Sequence, residues 1–179
     1  EIFPMNMATK NPISLLQNAG LLARLIREER VDLVHARSRA PAWSAWRAAR
    51  RTGTPFVTTY HGVYNEDLPL KRAYNSVMAR GRPVIAVSEF VRELVMARHA
   101  VPSEQVVVIP RGADISVFSE DAVGHERTAQ LAEQWGILDD TRPVVMLPGR
   151  LTRWKGQERT IEAAALLRDR RGPDFLVLI

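Results

Sequence analysis

The sequence contains no cysteine. That excludes a disulfide framework and thiolate metal sites, and it fits a reducing compartment. Lysine is nearly as scarce, with Lys10, Lys71 and Lys155 set against 22 arginines. Long apolar runs are missing: the longest hold about five residues, far short of the ~20 that span a bilayer. The first ten residues show no basic segment followed by an apolar one, so no secretory signal is legible, and position 1 is Glu rather than Met. No Gly-x-Ser-x-Gly, His-Glu-x-x-His or Gly-x-Gly-x-x-Gly occurs, which disfavours α/β-hydrolase, zincin and dinucleotide-dehydrogenase readings. His35, His99 and His125 lack the spacing of a metal site.

What remains is ordinary in bulk: 179 residues, 46% hydrophobic and 25% charged, with a net charge of +5 and a pI near 10.2. These proportions exclude disorder. The charge is uneven. Residues 1–110 hold 15 basic and 9 acidic groups, whereas 111–179 hold 10 and 11. The Arg-for-Lys skew, beside many alanines, points to genome composition more than to a nucleic-acid footprint.

Short apolar runs alternate with helical patterns, the signature of a parallel sheet with helices on its faces. After a strand end at Ile2-Phe3, Asn11-Pro12 reads as an N-cap followed by Pro at the first helical position. Leu15, Leu16, Ala19, Leu22, Ala23 and Ile26 then form one apolar face. Strands are expected over 32–35, 56–60, 84–87 and 106–109, and helices over 40–51 and 70–79. A further helix follows Ser88, its expected N-cap, and buries Val91, Leu94 and Val95. From Arg111 to Thr141 the rhythm breaks, with a short amphipathic piece around Leu131 and Trp135, as in a linker or crossover. It restarts with a strand over 144–147, a Gly-flanked loop over 148–156, a helix over 158–170 and a last apolar run over 175–179. A two-stranded sheet is marginal alone, so the expectation is a fragment that starts and stops inside domains.

Ligands of open parallel sheets bind beyond the carboxyl ends of the strands, and three segments there carry chemistry. Pro148 to Gly156 runs from a strand into a helix, with glycines at both ends, Arg150 suited to a bidentate phosphate grip and Lys155 to a point charge. It is not a Walker loop, and by residue content alone it is either an anion cradle or a solvated basic turn. Thr58 to Gly62 ends a strand with His61, which either exchanges protons near neutral pH or is a satisfied loop histidine. His35 ends the preceding strand and would face the same region, while His99 closes a helix, where a cation is favourable. The third segment, His35 to Arg39, continues through Trp43, Trp46, Arg47, Arg50 and Arg51, with no acid between Asp32 and Glu66. It reads either as a solvated arginine helix or as an electropositive face for an anionic acceptor or lipid headgroups.

In order, Asp32-Leu33-Val34-His35, Thr59-Tyr60-His61-Gly62, Val84 to Glu89, Val108 to Asp114 with Phe118, and Gly149-Arg150-Leu151 with Trp154-Lys155-Gly156 resemble the group 1 (family 4) glycosyltransferases. The resemblance covers nearly the whole chain, and its last two segments are the specific ones. It implies an α/β fold of GT-B type, with two facing Rossmann-like domains, both incomplete here. Residues 1–115 would be the C-terminal part of the acceptor-side domain, 116–141 an interdomain connection and 142–179 the start of the nucleotide-sugar donor domain. It also implies sugar transfer with retention from a nucleotide-sugar, without a cofactor or metal. Arg150, Lys155 and Gly149 would hold the donor diphosphate and His61 would be the catalytic candidate near the transferred sugar. Arg37, Ser38, Ser88 and Gly112 would be acceptor or cleft positions. The family's Gly-rich loop would precede residue 1 and its paired glutamates would follow residue 179, so catalysis by this chain alone is not expected.

The acceptor class suggested is an envelope polysaccharide or lipopolysaccharide intermediate, made in the cytoplasm, with a peripheral contact on an anionic inner membrane face left open and no nucleic-acid partner expected. Two alternatives stand beside it. One is a non-catalytic basic module for membrane surfaces or polyanions, and the other a sugar-nucleotide epimerase of the same architecture.

Overall fold

The structure is a computed structural model that describes residues 2–7, 9, 11–170, 172 and 174–179. The chain divides into two units, Glu1–Gly112 and Ala113–Ile179.

The first unit opens with helix α1 (Pro12–Glu28), started by the signals its sequence carries: Asn11 Oδ1 accepts from the Ile13 N–H at 2.9 Å and Pro12 occupies the first turn. Its apolar stripe packs on α2 (Arg39–Thr52) through small side chains. Ala19, Ala23 and Ala48 are almost wholly buried. Buried Ser44 donates to the Leu15 carbonyl at 2.9 Å, so its hydroxyl is satisfied. Leu16, expected on the buried face, is exposed. At 100° per residue it stands about 50° from the middle of the stripe running through Ala19, Ala23 and Ile26. No strand forms at Ile2-Phe3, where Ile2 is exposed.

Four parallel strands follow, β1 (Val34–Ala36), β2 (Phe56–Tyr60), β3 (Val84–Ala86) and β4 (Val106–Val108), in spatial order β1-β2-β3-β4. Strand β2 has the bounds its sequence indicates and is buried throughout, being central. Strand β1 begins two residues later than expected. Its ladder starts where the Val34 N–H meets the Pro55 carbonyl, leaving Asp32 and Leu33 exposed. Register aligns Ala36, Thr58, Val84 and Val106 in one row and Tyr60, Ala86 and Val108 in the next. This face packs on Ala42, Ala45 and Ala49 of α2, on Val77 and Met78, and on Val91 and Val95 of α4 (Glu89–His99). Ser88 caps α4, its Oγ accepting from the Val91 N–H at 3.3 Å.

The expected helix over 70–79 is α3 (Pro69–Asn75) followed by a 3-10 turn, Ser76–Ala79. The tighter turn brings the Met78 carbonyl to the buried Thr58 hydroxyl, 2.6 Å away. Gly81 follows at a point of closest approach, where a Cβ would lie 2.6 Å from the Thr58 nitrogen.

The second unit contains α5 (Ile115–Phe118), α6 (His125–Gln134), β5 (Val144–Met146), α7 (Gln157–Asp169) and β6 (Leu176–Leu178). The two strands pair in parallel, Val144 with Leu176 and Met146 with Leu178. Val144, Val145 and Met146 stay close to half exposed, as expected for two strands with one crossover helix. The amphipathic piece near Leu131 is α6, with Trp135 just past its end. Arg142 grips Asp140 with a 2.6 Å bond from Nη2 and reaches Asp174 at 3.4 Å, tying the approaches to the two strands together. The guanidinium holds the Asp140 carboxyl down at about 2.

Candidate functional site

Because β1 to β4 are parallel, the residues that leave their carboxyl ends gather at one edge of the sheet. Arg37 follows β1, His61 follows β2, Ser88 stands two residues past β3, and Arg111 and Gly112 follow β4. Here His61 and Arg111 meet: the guanidinium Nη2 donates to His61 Nδ1 at 2.9 Å. Burial, and then the charges of Arg111 and Arg37 and the neighbouring His35, push the His61 pKa below its ordinary value. The ring is therefore neutral at pH 7, with its proton on Nε2.

His35 sits in the middle of β1 rather than at its end, and its Nε2 bonds Thr59 Oγ1 across the ladder at 2.7 Å. Burial and Arg37 lower its pKa too. Ser38 precedes α2 with its hydroxyl unused by the cap. It lines a hollow of about 460 Å³ with Arg39, Leu70, Tyr74 and Asn75. Ser88 spends its oxygen on capping α4. Gly112 is exposed and has nothing near the place a Cβ would take.

Sequence reasoning missed what fixes this edge from behind. The Glu66 side chain, 7% exposed, accepts from Asn75 Nδ2 at 3.0 Å and lies 3.6 Å from Arg98 Nη1 and 3.5 Å from His99 Nε2. Buried Asn75 accepts from Arg39 Nη1 at 2.9 Å, and Arg39 covers the Tyr64 ring at 4.5 Å. Tyr64 stacks on Tyr60 at 4.5 Å, and the Tyr60 hydroxyl meets His99 at 3.2 Å. This network pins the segment after His61 to the body of the unit. His99 is not the helix-end cation expected: burial lowers its pKa more than the Glu66 carboxylate raises it. The contact with Glu66 is thus a polar approach to a neutral imidazole. No spacing signal marks this set, because Tyr60, Glu66, Asn75 and His99 come from four separate elements. Arg111 was legible as the residue leaving β4, but not as the partner of His61.

In the second unit, Gly149 to Gly156 joins β5 to α7, with a 3-10 turn over Arg153–Lys155 and Gly156 in the left-handed region at φ 84°. Gln157, buried at the helix start, donates from Nε2 to the Arg150 carbonyl at 3.0 Å and so closes the turn. A Cβ at Gly149 would lie 3.7 Å from Lys155 Cδ, so glycine leaves the turn's inner side open. The Lys155 ammonium stands over Trp154 at 4.3 Å. Among the described residues, neither Arg150 nor Lys155 is paired with a carboxylate. Beyond the carboxyl ends of β5 and β6 a hollow of about 550 Å³ is lined by Trp135, Met146, Pro148, Gly149, Leu178 and Ile179. The missed residue here is Gln157, hidden because glutamine at a helix start carries no motif.

Among the described residues, no group of three or more His, Asp or Glu side chains is placed to hold a metal ion, and no helix is long and apolar enough to cross a membrane.

Parallel α/β units of this kind are shared with the GT-B type glycosyltransferases, though not with them alone. Residues 2–117 match the model of Glycosyltransferase Family 4, and the chain belongs to that family. It is 32% identical over 165 residues to a GDP-mannose-dependent alpha-(1-6)-phosphatidylinositol monomannoside mannosyltransferase of Mycolicibacterium smegmatis, covering 90% of this chain and 41% of that protein. A D-inositol 3-phosphate glycosyltransferase of Jonesia denitrificans is 26% identical over 82% of this chain and 38% of its own length. The chain thus spans about two fifths of the length of these relatives. Among solved structures, a glycosyltransferase from Rickettsia africae superposes with a TM-score of 0.78 at 37% identity, over 98% of this chain and 45% of that one. Anabaena HepE in complex with UDP-glucose shares the fold at a TM-score of 0.70 and 24% identity, over 88% of this chain and 43% of its own.

Proposed function

We propose that the chain is part of a retaining glycosyltransferase that moves a sugar from a nucleotide-sugar to an acceptor, with donor binding in the second unit and acceptor binding in the first. The observation that carries this is the turn from β5 to α7. It presents two cations, unpaired among the described residues, on a backbone locked by the Gln157–Arg150 bond and kept open by Gly149.

A nucleoside diphosphate leaves when the bond between the sugar's anomeric carbon and the β-phosphate oxygen breaks, and negative charge grows on that phosphate. Arg150 would grip it with a planar fork and Lys155 with a point charge. Preorganised cations of this kind stabilise the departing group without a metal, and metal-independent transfer is the reading we adopt. Neutral His61, steered by Arg111, would stand near the transferred sugar, offering Nε2–H as a hydrogen-bond donor. Arg37, Ser38 and the hollow beside Ser38 would take the acceptor, with Ser88 and Gly112 as lesser contributors on the same edge.

The acceptor we favour is an anionic envelope glycan or lipid-linked intermediate. Two relatives are named for phosphorylated inositol acceptors, and Arg37 and Arg111 both act on His61. A cytoplasmic location, with contact to an anionic membrane face, follows from that choice of acceptor.

The test assays the protein at full natural length with UDP- and GDP-sugars. Arg150→Ala and Lys155→Ala should each reduce turnover about 10²-fold or more. Unchanged rates in both would sink the donor assignment.

A further inference from the structure

The arginine-rich helix singled out in the sequence does not present one basic face. Arg39, at its start, belongs to the Tyr64–Asn75 network, whereas Arg47, Arg50 and Arg51 lie at its far end. There they face the opposite edge of the sheet, where strands begin. A hollow of about 700 Å³ opens beside Phe56 at the start of β2, Arg82 just before β3 and Gln105 just before β4. Trp46, Arg50 and Arg80 also line it. A second hollow of about 300 Å³, lined by Trp46, Arg47, Arg50 and Arg51, adjoins it through the shared Trp46 and Arg50.

Five guanidinium groups therefore converge on one locus. None is paired with a carboxylate among the described residues. Two of the five are held by aromatic rings: Arg80 lies 4.2 Å over Trp46 and 5.0 Å over Trp43, and Arg50 lies 5.1 Å over Trp46. At Arg50 and Arg80 the ring contact steadies the guanidinium and leaves its edge N–H groups free. Burial first, and then the charge of Arg50, lower the Arg80 pKa. Gln105 adds no free amide donor, since its Nε2 serves the Gly81 carbonyl at 2.8 Å and the Ala79 carbonyl at 3.4 Å. The locus is an arginine fork array with its counter-charge missing, of a size suited to a small ligand.

We propose that this hollow is a second anion site for a ligand bearing clustered phosphates, separate from the residues that follow the strand ends. Strand β2 alone sets the two edges about 17 Å apart. The same phosphate chemistry is offered by a free phosphorylated metabolite and by a phospholipid headgroup, and the experiment separates them.

Inorganic pyrophosphate is titrated into the 179-residue chain carrying Arg150→Gln and Lys155→Gln, which silences the proposed donor turn. Amide shifts are followed by NMR at Gly53, Arg82 and Gln105. Saturable shifts there, weakened about tenfold or more by adding Arg47→Gln, Arg50→Gln and Arg51→Gln, support the site. Those three side chains are exposed on α2, so their loss spares the core. Arg80→Gln should act likewise, and if circular dichroism shows that it unfolds the chain, the α2 variant alone decides. Absence of saturable shifts, or shifts indifferent to the α2 variant, overturns the proposal. Co-sedimentation with phosphatidylglycerol vesicles that pyrophosphate reverses assigns a lipid headgroup, and pyrophosphate binding without co-sedimentation assigns a free phosphate. Because the donor turn is already silenced, failure here leaves the transferase reading standing.

Discussion

Arg111 donates to His61 across the ends of two strands, 2.9 Å from Nη2 to Nδ1, although 50 residues separate them in sequence. The bond decides the tautomer of the imidazole, and burial, joined by the charges of Arg111 and Arg37, keeps the ring uncharged.

Replacing Arg111 by Gln removes the nearer cation. The His61 pKa should rise toward its ordinary 6.5 without reaching it, because burial is the larger cause of its depression. Arg37→Gln should raise it less. Proton NMR titration of the His61 ring reads both shifts, and an unmoved or lowered pKa in Arg111→Gln would contradict the arrangement.

His99 gives stability a pH dependence. Its folded pKa is below 6.5, so in acid the unfolded chain takes up the proton first. Stability should hold above about pH 6.5 and fall as pH drops toward the folded value. His99→Gln, which does not titrate, should flatten that part of the curve in urea denaturation across pH 5–8. A slope as steep as in the parent chain counts against this assignment.

Glu66→Ala takes one of the two acceptors of the buried Asn75 amide, leaving the Asn65 carbonyl, and removes the carboxylate beside Arg98 and His99. A loss of about 1–3 kcal/mol is expected, with the larger chemical-shift changes in the segment after His61. Equal stability in denaturant titration would mean that the network does not pin that segment.

Gly81→Ala places a methyl against the Thr58 nitrogen and hydroxyl, both held in the sheet. Overpacking at backbone should cost about 1–3 kcal/mol. A melting temperature equal to that of the parent chain would show that the 3-10 turn yields.

Gln157→Leu keeps volume but frees the Arg150 carbonyl. Affinity of the chain for a nucleoside diphosphate should fall about tenfold, although Gln157 carries no charge. Calorimetry showing equal affinity would remove Gln157 from the donor turn.

The local signals were the readable ones. Asn11-Pro12 and Ser88 announce helix starts because capping is settled within four residues, and Phe56 to Tyr60 reads as a strand because β-branched and aromatic residues fill it. The errors share a cause. The start of β1 depends on Pro55 and the break after Asn75 on Thr58, partners far from them in sequence. In the candidate sites, the cations and glycines stood out through rarity or position. The neutral helpers Asn75 and Gln157 did not, since nothing in their neighbourhood reveals that they are buried.

The peptide bond between Tyr60 and His61 marks a change in what a substitution is judged by. Upstream, β2 is buried and answers to volume; downstream, the chain answers to chemistry, except where Tyr64 and Glu66 turn back into the body. A library aimed at acceptor choice should therefore hold positions 60, 62, 64 and 66 constant, Gly62 for its positive φ, and diversify 63 and 65. The scaffold then screens out few members for misfolding, and survivors differ in what they accept.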